Sequence, residues 1–127
     1  MLKTKTLELS YDEEGDILYV SFLHDRPAAY QSLTDNIVLR FDPQTLEPIG
    51  LTLIDFSVMV PGEGQRPRFE LYRLAQLPEE RRKTVLSVLA HPTVKQWLEV
   101  SASATEPQAW YGMVRQPKSI LDLLHAA

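Results

Sequence analysis

Apolar and polar residues alternate at period two through most of the first 56 positions, and this alternation predicts strands half buried against a core. Leu7, Leu9 and Tyr11 share one face of the first strand, with Glu8, Ser10 and Asp12 on the other. The run Asp12-Glu13-Glu14-Gly15-Asp16 then has the chemistry of a turn, because Asp hydrogen-bonds nearby backbone and Gly accepts positive φ. In the next strand Leu18, Val20 and Phe22 lie on one face, while Ile17 and Tyr19 make the opposite face apolar as well. A strand of that kind is placed centrally or covered on both sides.

Pro27 breaks the pattern, a weaker strand occupies Ala29 to Leu33, and Asp35-Asn36 supplies turn residues. Ile37, Leu39 and Phe41 resume the alternation, with Val38, Arg40 and Asp42 facing the other way. After the turn Asp42-Pro43-Gln44-Thr45, Ile49, Leu51 and Leu53 line one face of a last strand, and Thr52 and Ile54 the other. The short connections imply an antiparallel meander of four or five strands.

Beyond Phe56 the punctuation changes. Pro61-Gly62-Glu63-Gly64-Gln65-Arg66-Pro67 has the composition of a loop. Leu77-Pro78-Glu79-Glu80 opens a helix with Pro in its first turn and acids at the positive end of the dipole, and Val85, Val88 and Leu89 mark its buried face. His91-Pro92 interrupts it, and Pro92 starts a second short helix with Val94, Trp97 and Leu98 as its apolar stripe. A last amphipathic segment runs from Pro117 through Ile120, Leu121, Leu123 and Leu124. The predicted class is α+β: an antiparallel β domain over 1–60, a loop or hinge over 61–76, and a helical extension over 77–127 packed on or beside the sheet of the same domain.

Composition narrows the function. A chain of 127 residues that is 44% apolar can bury one core. It has no apolar run near the roughly 20 residues that cross a bilayer and no apolar block at its start, so we expect a cytoplasmic protein without membrane association. The absence of cysteine removes disulfides, thiolate metal sites and cysteine nucleophiles. Ten acids stand against four bases up to Phe56, and seven against nine beyond it. An acidic first half repels phosphate backbones, and Arg81-Arg82-Lys83 is the only dense basic run, so no nucleic-acid partner is expected.

The pattern of a Tyr-Asp turn, an Asp-x-Leu-Tyr-Val strand and a later Ile-Gly-Leu-x-Leu-x-Asp strand is carried by Tyr11, Asp12, Asp16, Leu18, Tyr19 and Val20, then by Ile49, Gly50, Leu51, Leu53 and Asp55. Over roughly residues 7–56 the chain resembles a family of short bacterial proteins, domain of unknown function 2283. The resemblance implies a small antiparallel sheet. It implies no particular reaction, and some members of the family resemble partner proteins encoded beside toxins.

No residue is assigned a catalytic, cofactor-binding or metal-binding role. The acids from Asp12 to Asp16 are of the type that holds Ca²⁺, but they lack EF-hand spacing and suit a turn better. Asp16, His24 and Asp55 are the ingredients for acid and base catalysis, with nothing in the spacing to bring them together. Gly62-x-Gly64 lacks the Lys-Ser/Thr of a phosphate loop, and Arg81-Arg82-Lys83 one turn after Glu79-Glu80 suits local ion pairs. Ala109-Trp110-Tyr111-Gly112-Met113 is an aromatic cluster that can pack inside the chain or anchor a partner. We therefore expect a non-enzymatic binding or assembly module without cofactor, a homodimer closed through its sheet, with Ile17, Tyr19, Ile54, Trp110, Tyr111 and Met113 as the candidate interface. The alternative is an antitoxin-like regulatory partner that masks a small basic protein with its acidic half.

Overall fold

The alternation of the first half folds into a five-stranded antiparallel sheet: β1 (Glu8–Asp12), β2 (Ile17–Ser21), β3 (Ala29–Thr34), β4 (Ile37–Phe41) and β5 (Pro48–Ile54). The computed structural model describes residues 7–59 and 67–115. Spatial order is β1-β2-β5-β4-β3. β1 and β2 form a hairpin and β3, β4 and β5 a meander, and the chain between β2 and β3 crosses to the far edge, so β5 lies beside β2. The order follows polarity. The apolar strands β2, β5 and β4 take the centre, and β1 with Glu8, Ser10 and Asp12 and β3 with Gln31 and Ser32 take the edges.

Register puts Leu18, Leu53 and Ile37 in one row of the inner face and Val20, Leu51 and Leu39 in the next. All six are fully buried. At about 1.5–3 kcal/mol per buried side chain of this kind, these two rows are a principal source of stability.

Past α1 (Phe56–Met59) the structure departs from the expected hinge and helical extension. A second antiparallel sheet is made from β6 (Arg68–Glu70), β7 (Leu98–Ala102) and β8 (Trp110–Val114) in the order β6-β8-β7. Between β6 and β7 lie α2 (Tyr72–Ala75), α3 (Glu79–Leu89) and α4 (Pro92–Lys95). Thus β6 and α2 occupy the expected hinge, α4 stops before Trp97, and the aromatic cluster is a strand. The physical reason is length: an apolar run of about five residues satisfies helical and strand spacing equally, and pairing with a distant strand decides. Gly112 suits the close packing beneath that sheet, since a Cβ there would stand 3.1–3.2 Å from the Leu71 and Leu98 side chains, which would have to shift slightly. The amphipathic segment expected from Pro117 lies outside the described residues.

The helix α3 has the expected form, with Glu79 and Glu80 in its first turn and Val85, Val88 and Leu89 buried. Both halves share one core: Leu18, Leu39 and Leu53 belong to the same cluster as Leu71, Leu74, Val85, Trp97 and Val114. Cross-links from the helices reinforce it. Arg81 lies 5.2 Å from the Phe41 ring centroid and donates to Gln31 Oε1 at 3.2 Å, and Arg73 pairs with Asp35. Of the basic run only Lys83 makes the local pair with Glu79, at 3.4 Å; Arg82 donates to the Leu77 carbonyl and lies 5.3 Å from the Trp110 ring centroid.

Candidate functional site

The acidic turn is a structural clip. Asp16 sits at φ 54°, and its carboxylate accepts from the Tyr11 hydroxyl at 2.7 Å and from the backbone N–H and hydroxyl of Ser57. The Phe56 N–H donates to the Asp16 carbonyl at 3.0 Å, and the Tyr11 and Phe56 rings meet edge-on at 6.1 Å. The Ser57 and Tyr11 hydrogen bonds hold the Asp16 carboxyl below the usual aspartate range, and the bond to Asp16 raises the Tyr11 hydroxyl above its ordinary value. This clip fastens the start of α1 to the β1–β2 hairpin.

The other acidic and imidazole candidates of the sequence are similarly occupied. Asp55, at φ 60°, accepts from Asn36 Nδ2 at 2.8 Å, and the same amide reaches the Ile54 carbonyl at 3.2 Å. His24 lies past the opposite end of β2 from Asp16, with Nε2 3.6 Å from Glu8. Asp16, His24 and Asp55 therefore do not converge on one point. Among the described residues no group of three or more His, Asp or Glu is arranged to hold a metal ion. Asp42 turns the chain by accepting from the Gln44 and Thr45 N–H groups, bonds that lower its carboxyl pKa, and Arg26 ties that turn to Glu47 at 2.6 Å.

Among the described residues the inner face of the five-stranded sheet is sealed by the helices, and no element packs across the outer face. Its rows run Ser10, Tyr19, Thr52, Val38, Ser32, and Asp12, Ile17, Ile54. Tyr19 is 38% exposed, and Ile17, Val38 and Ile54 are half-buried. A third row runs Glu8, Ser21, Gly50, Arg40, Tyr30, and Tyr30 is 65% exposed. Arg40 lies across Gly50: its Nη2 donates to the Val20 carbonyl at 3.2 Å and to the Ser21 hydroxyl at 3.3 Å. A Cβ at Gly50 would collide with that guanidinium and with the Val20 carbonyl oxygen. Arg40 Nε is buried without a hydrogen-bond partner, and among the described residues no carboxylate pairs with this side chain.

The second sheet divides the aromatic cluster between two faces. Trp110 turns inward against the core, whereas Tyr111 and Met113 face outward, with Arg68 4.9 Å from the Tyr111 ring centroid. Two open clefts flank this sheet, one of about 390 Å³ between Leu86, Val100 and Trp110, the other of about 450 Å³ between Asn36, Asp55, Phe69 and Tyr72.

Residues 8–57 match the family model described as "Protein of unknown function (DUF2283)". The matched segment covers the five-stranded sheet and ends at Ser57, the residue that closes the Asp16 clip. The second sheet lies outside it. No curated protein and no solved structure matches the chain.

Sequence reasoning names Ile17, Tyr19 and Ile54 on the open face but passes over Arg40 and Tyr30. A single cation amid apolar strand residues is a visible signal, but its position over Gly50 depends on register between β4 and β5.

Proposed function

We propose that this chain is a non-enzymatic protein-binding module that self-associates through the outer face of its five-stranded sheet. The supporting observation is the asymmetry of that sheet among the described residues: helices of the same chain seal one face, while on the other Tyr19 is exposed and Ile17, Val38 and Ile54 are only half-buried. Tyr19 suits the centre of an interface, because an aromatic ring buries much area with few rotamers to freeze. Cysteine-free composition suits a cytoplasmic setting, and among the described residues no helix is long and apolar enough to cross a membrane. Sedimentation across micromolar concentrations is expected to give a dimer, and Tyr19→Asp to weaken it at least about tenfold by burying an unpaired charge. A monomer at every concentration overturns the proposal.

A second reading, a regulatory partner of a small basic protein, is supported by Asp12, Glu13 and Glu14, which stand exposed and without ion pairs among the described residues. It predicts co-purification of a basic protein from native lysate at low salt, released by Glu13→Lys/Glu14→Lys. Recovery of the chain alone rejects it.

A further inference from the structure

We infer that Glu8 and Arg40 set the register of the dimer, each reaching its counterpart on a second copy around a two-fold axis along β2; this rests on the self-association proposed above. Arg40 is the only cation in the five strands, and Glu8 and Asp12, both in β1, are the only acids. Glu8 and Arg40 occupy one row of the outer face, yet β1 and β4 are three strand positions apart, about 14 Å, too far for a direct pair within one copy. The guanidinium does not stay over its own strand. Its bonds to the Val20 carbonyl and Ser21 lay it over Gly50 of β5.

The two charges consequently flank β2, the acid one strand to one side and the guanidinium on the other. Rotation by 180° about an axis parallel to β2, in the plane between two facing sheets, exchanges the β1 and β5 columns and keeps each row in place. Glu8 of each copy then lies opposite the guanidinium of the other. The same rotation sets Ser10 opposite Thr52 and the exposed Asp12, at the end of its strand, opposite Ile54, and brings the two Tyr19 side chains together at the axis. An axis along β5 would instead bring the two guanidinium groups together, and like charges in a closed interface cost several kcal/mol. Of these two axes, charge complementarity favours β2. Glu8 is available for this role: its side chain is 65% exposed and its neighbour within the copy is the exposed His24.

The test uses the full chain in sedimentation. Glu8→Arg is expected to raise the dimer Kd at least about tenfold by setting two cations together, and Glu8→Arg/Arg40→Glu to restore it to within about threefold. If the unaltered protein dimerises and Glu8→Arg leaves Kd unchanged, or the double exchange fails to restore a folded dimer's Kd, the register is wrong while self-association stands. A monomeric unaltered protein rejects both. Because Arg40→Glu empties the Gly50 notch and can disturb folding, a second measurement avoids it. Ile17→Cys on β2 is expected to link to itself with a thiol crosslinker spanning about 10 Å, the spacing of packed sheets, whereas Ser32→Cys, three strands from the axis, is not. Linkage at Ser32→Cys and none at Ile17→Cys overturns the inference.

Discussion

The two sheets of this protein solve the same problem differently. Each turns one face to the shared core, but their outer faces are unlike. On the three-stranded sheet the outer face carries Arg68, Glu70, Glu99 and Ser101 around Tyr111 and Met113; Arg68 covers the tyrosine ring, and Arg115 lies 3.8 Å from Glu99. Such a face is at ease in water. The five-stranded sheet offers Ile17, Tyr19, Val38 and Ile54, with its one cation and its row-mate acid held too far apart to neutralise each other. The difference teaches where association is to be sought, because exposed and half-exposed apolar side chains are unfavourable in water and polar ones are not.

The strongest way to break the comparison is to cut the core that joins the sheets. Leu53→Ala removes a fully buried side chain and is expected to cost about 2–5 kcal/mol. Fluorescence of Trp97 and Trp110, both in or against that core, and far-ultraviolet circular dichroism should report one coincident transition on denaturation. Two separated transitions would show that the sheets fold independently.

Gly50→Ala comes next. The new methyl collides with the Arg40 guanidinium and the Val20 carbonyl, and a loss of about 1–3 kcal/mol is expected. Since the carbonyl belongs to backbone, adding Arg40→Ala should recover only part of the loss in urea titration. Full recovery would mean that the side chain alone demands the glycine.

Asp16→Asn probes the clip and is expected to cost on the order of 1 kcal/mol at neutral pH, as for loss of a capping carboxylate. The sign of its pH dependence follows from the bonds. Asp16 is held below its unfolded value, so its contribution is present above about pH 4 and disappears as pH falls through the folded pKa. Thermal midpoints of the variant and the unaltered protein should therefore converge in acid. Tyr11, raised by the same bond, contributes fully below about pH 10 and loses its contribution as pH rises through its folded value. A gap that widens in acid would assign Asp16 another role.

The smallest effect is expected on the second sheet. Glu99→Gln breaks an exposed pair and should change stability by less than about 0.5 kcal/mol and leave association untouched. A change in dimer Kd with this variant would move the interface to the wrong sheet.

The first sheet was legible because its information is local. Alternation from Leu7 to Ile54 gives faces, and Asp35-Asn36 and Asp42-Pro43 give turns, so the strands fall close to where the pattern puts them. The second sheet was hidden because β6 has three residues and because β7 and β8 of five residues each satisfy more than one periodicity. Their strand character comes from pairing: Phe69 with Gly112 across 43 positions, Leu98 with Val114 across 16. At the candidate site, Tyr19 was legible from a strand apolar on both faces. Arg40 was not, since what matters there is the missing Cβ of a residue ten positions away on the neighbouring strand.

By itself the sequence determined an α+β chain with four or five β segments, an acidic turn, one long helix and a central strand with two apolar faces, because each follows from side-chain period and turn chemistry within a few residues. Only tertiary structure decided that β5 lies beside β2, that a second sheet closes the core, and that the Arg40 guanidinium lies over β5, across β2 from Glu8 of the same copy. Those depend on which distant segments share hydrogen bonds and space, and no local pattern encodes that choice.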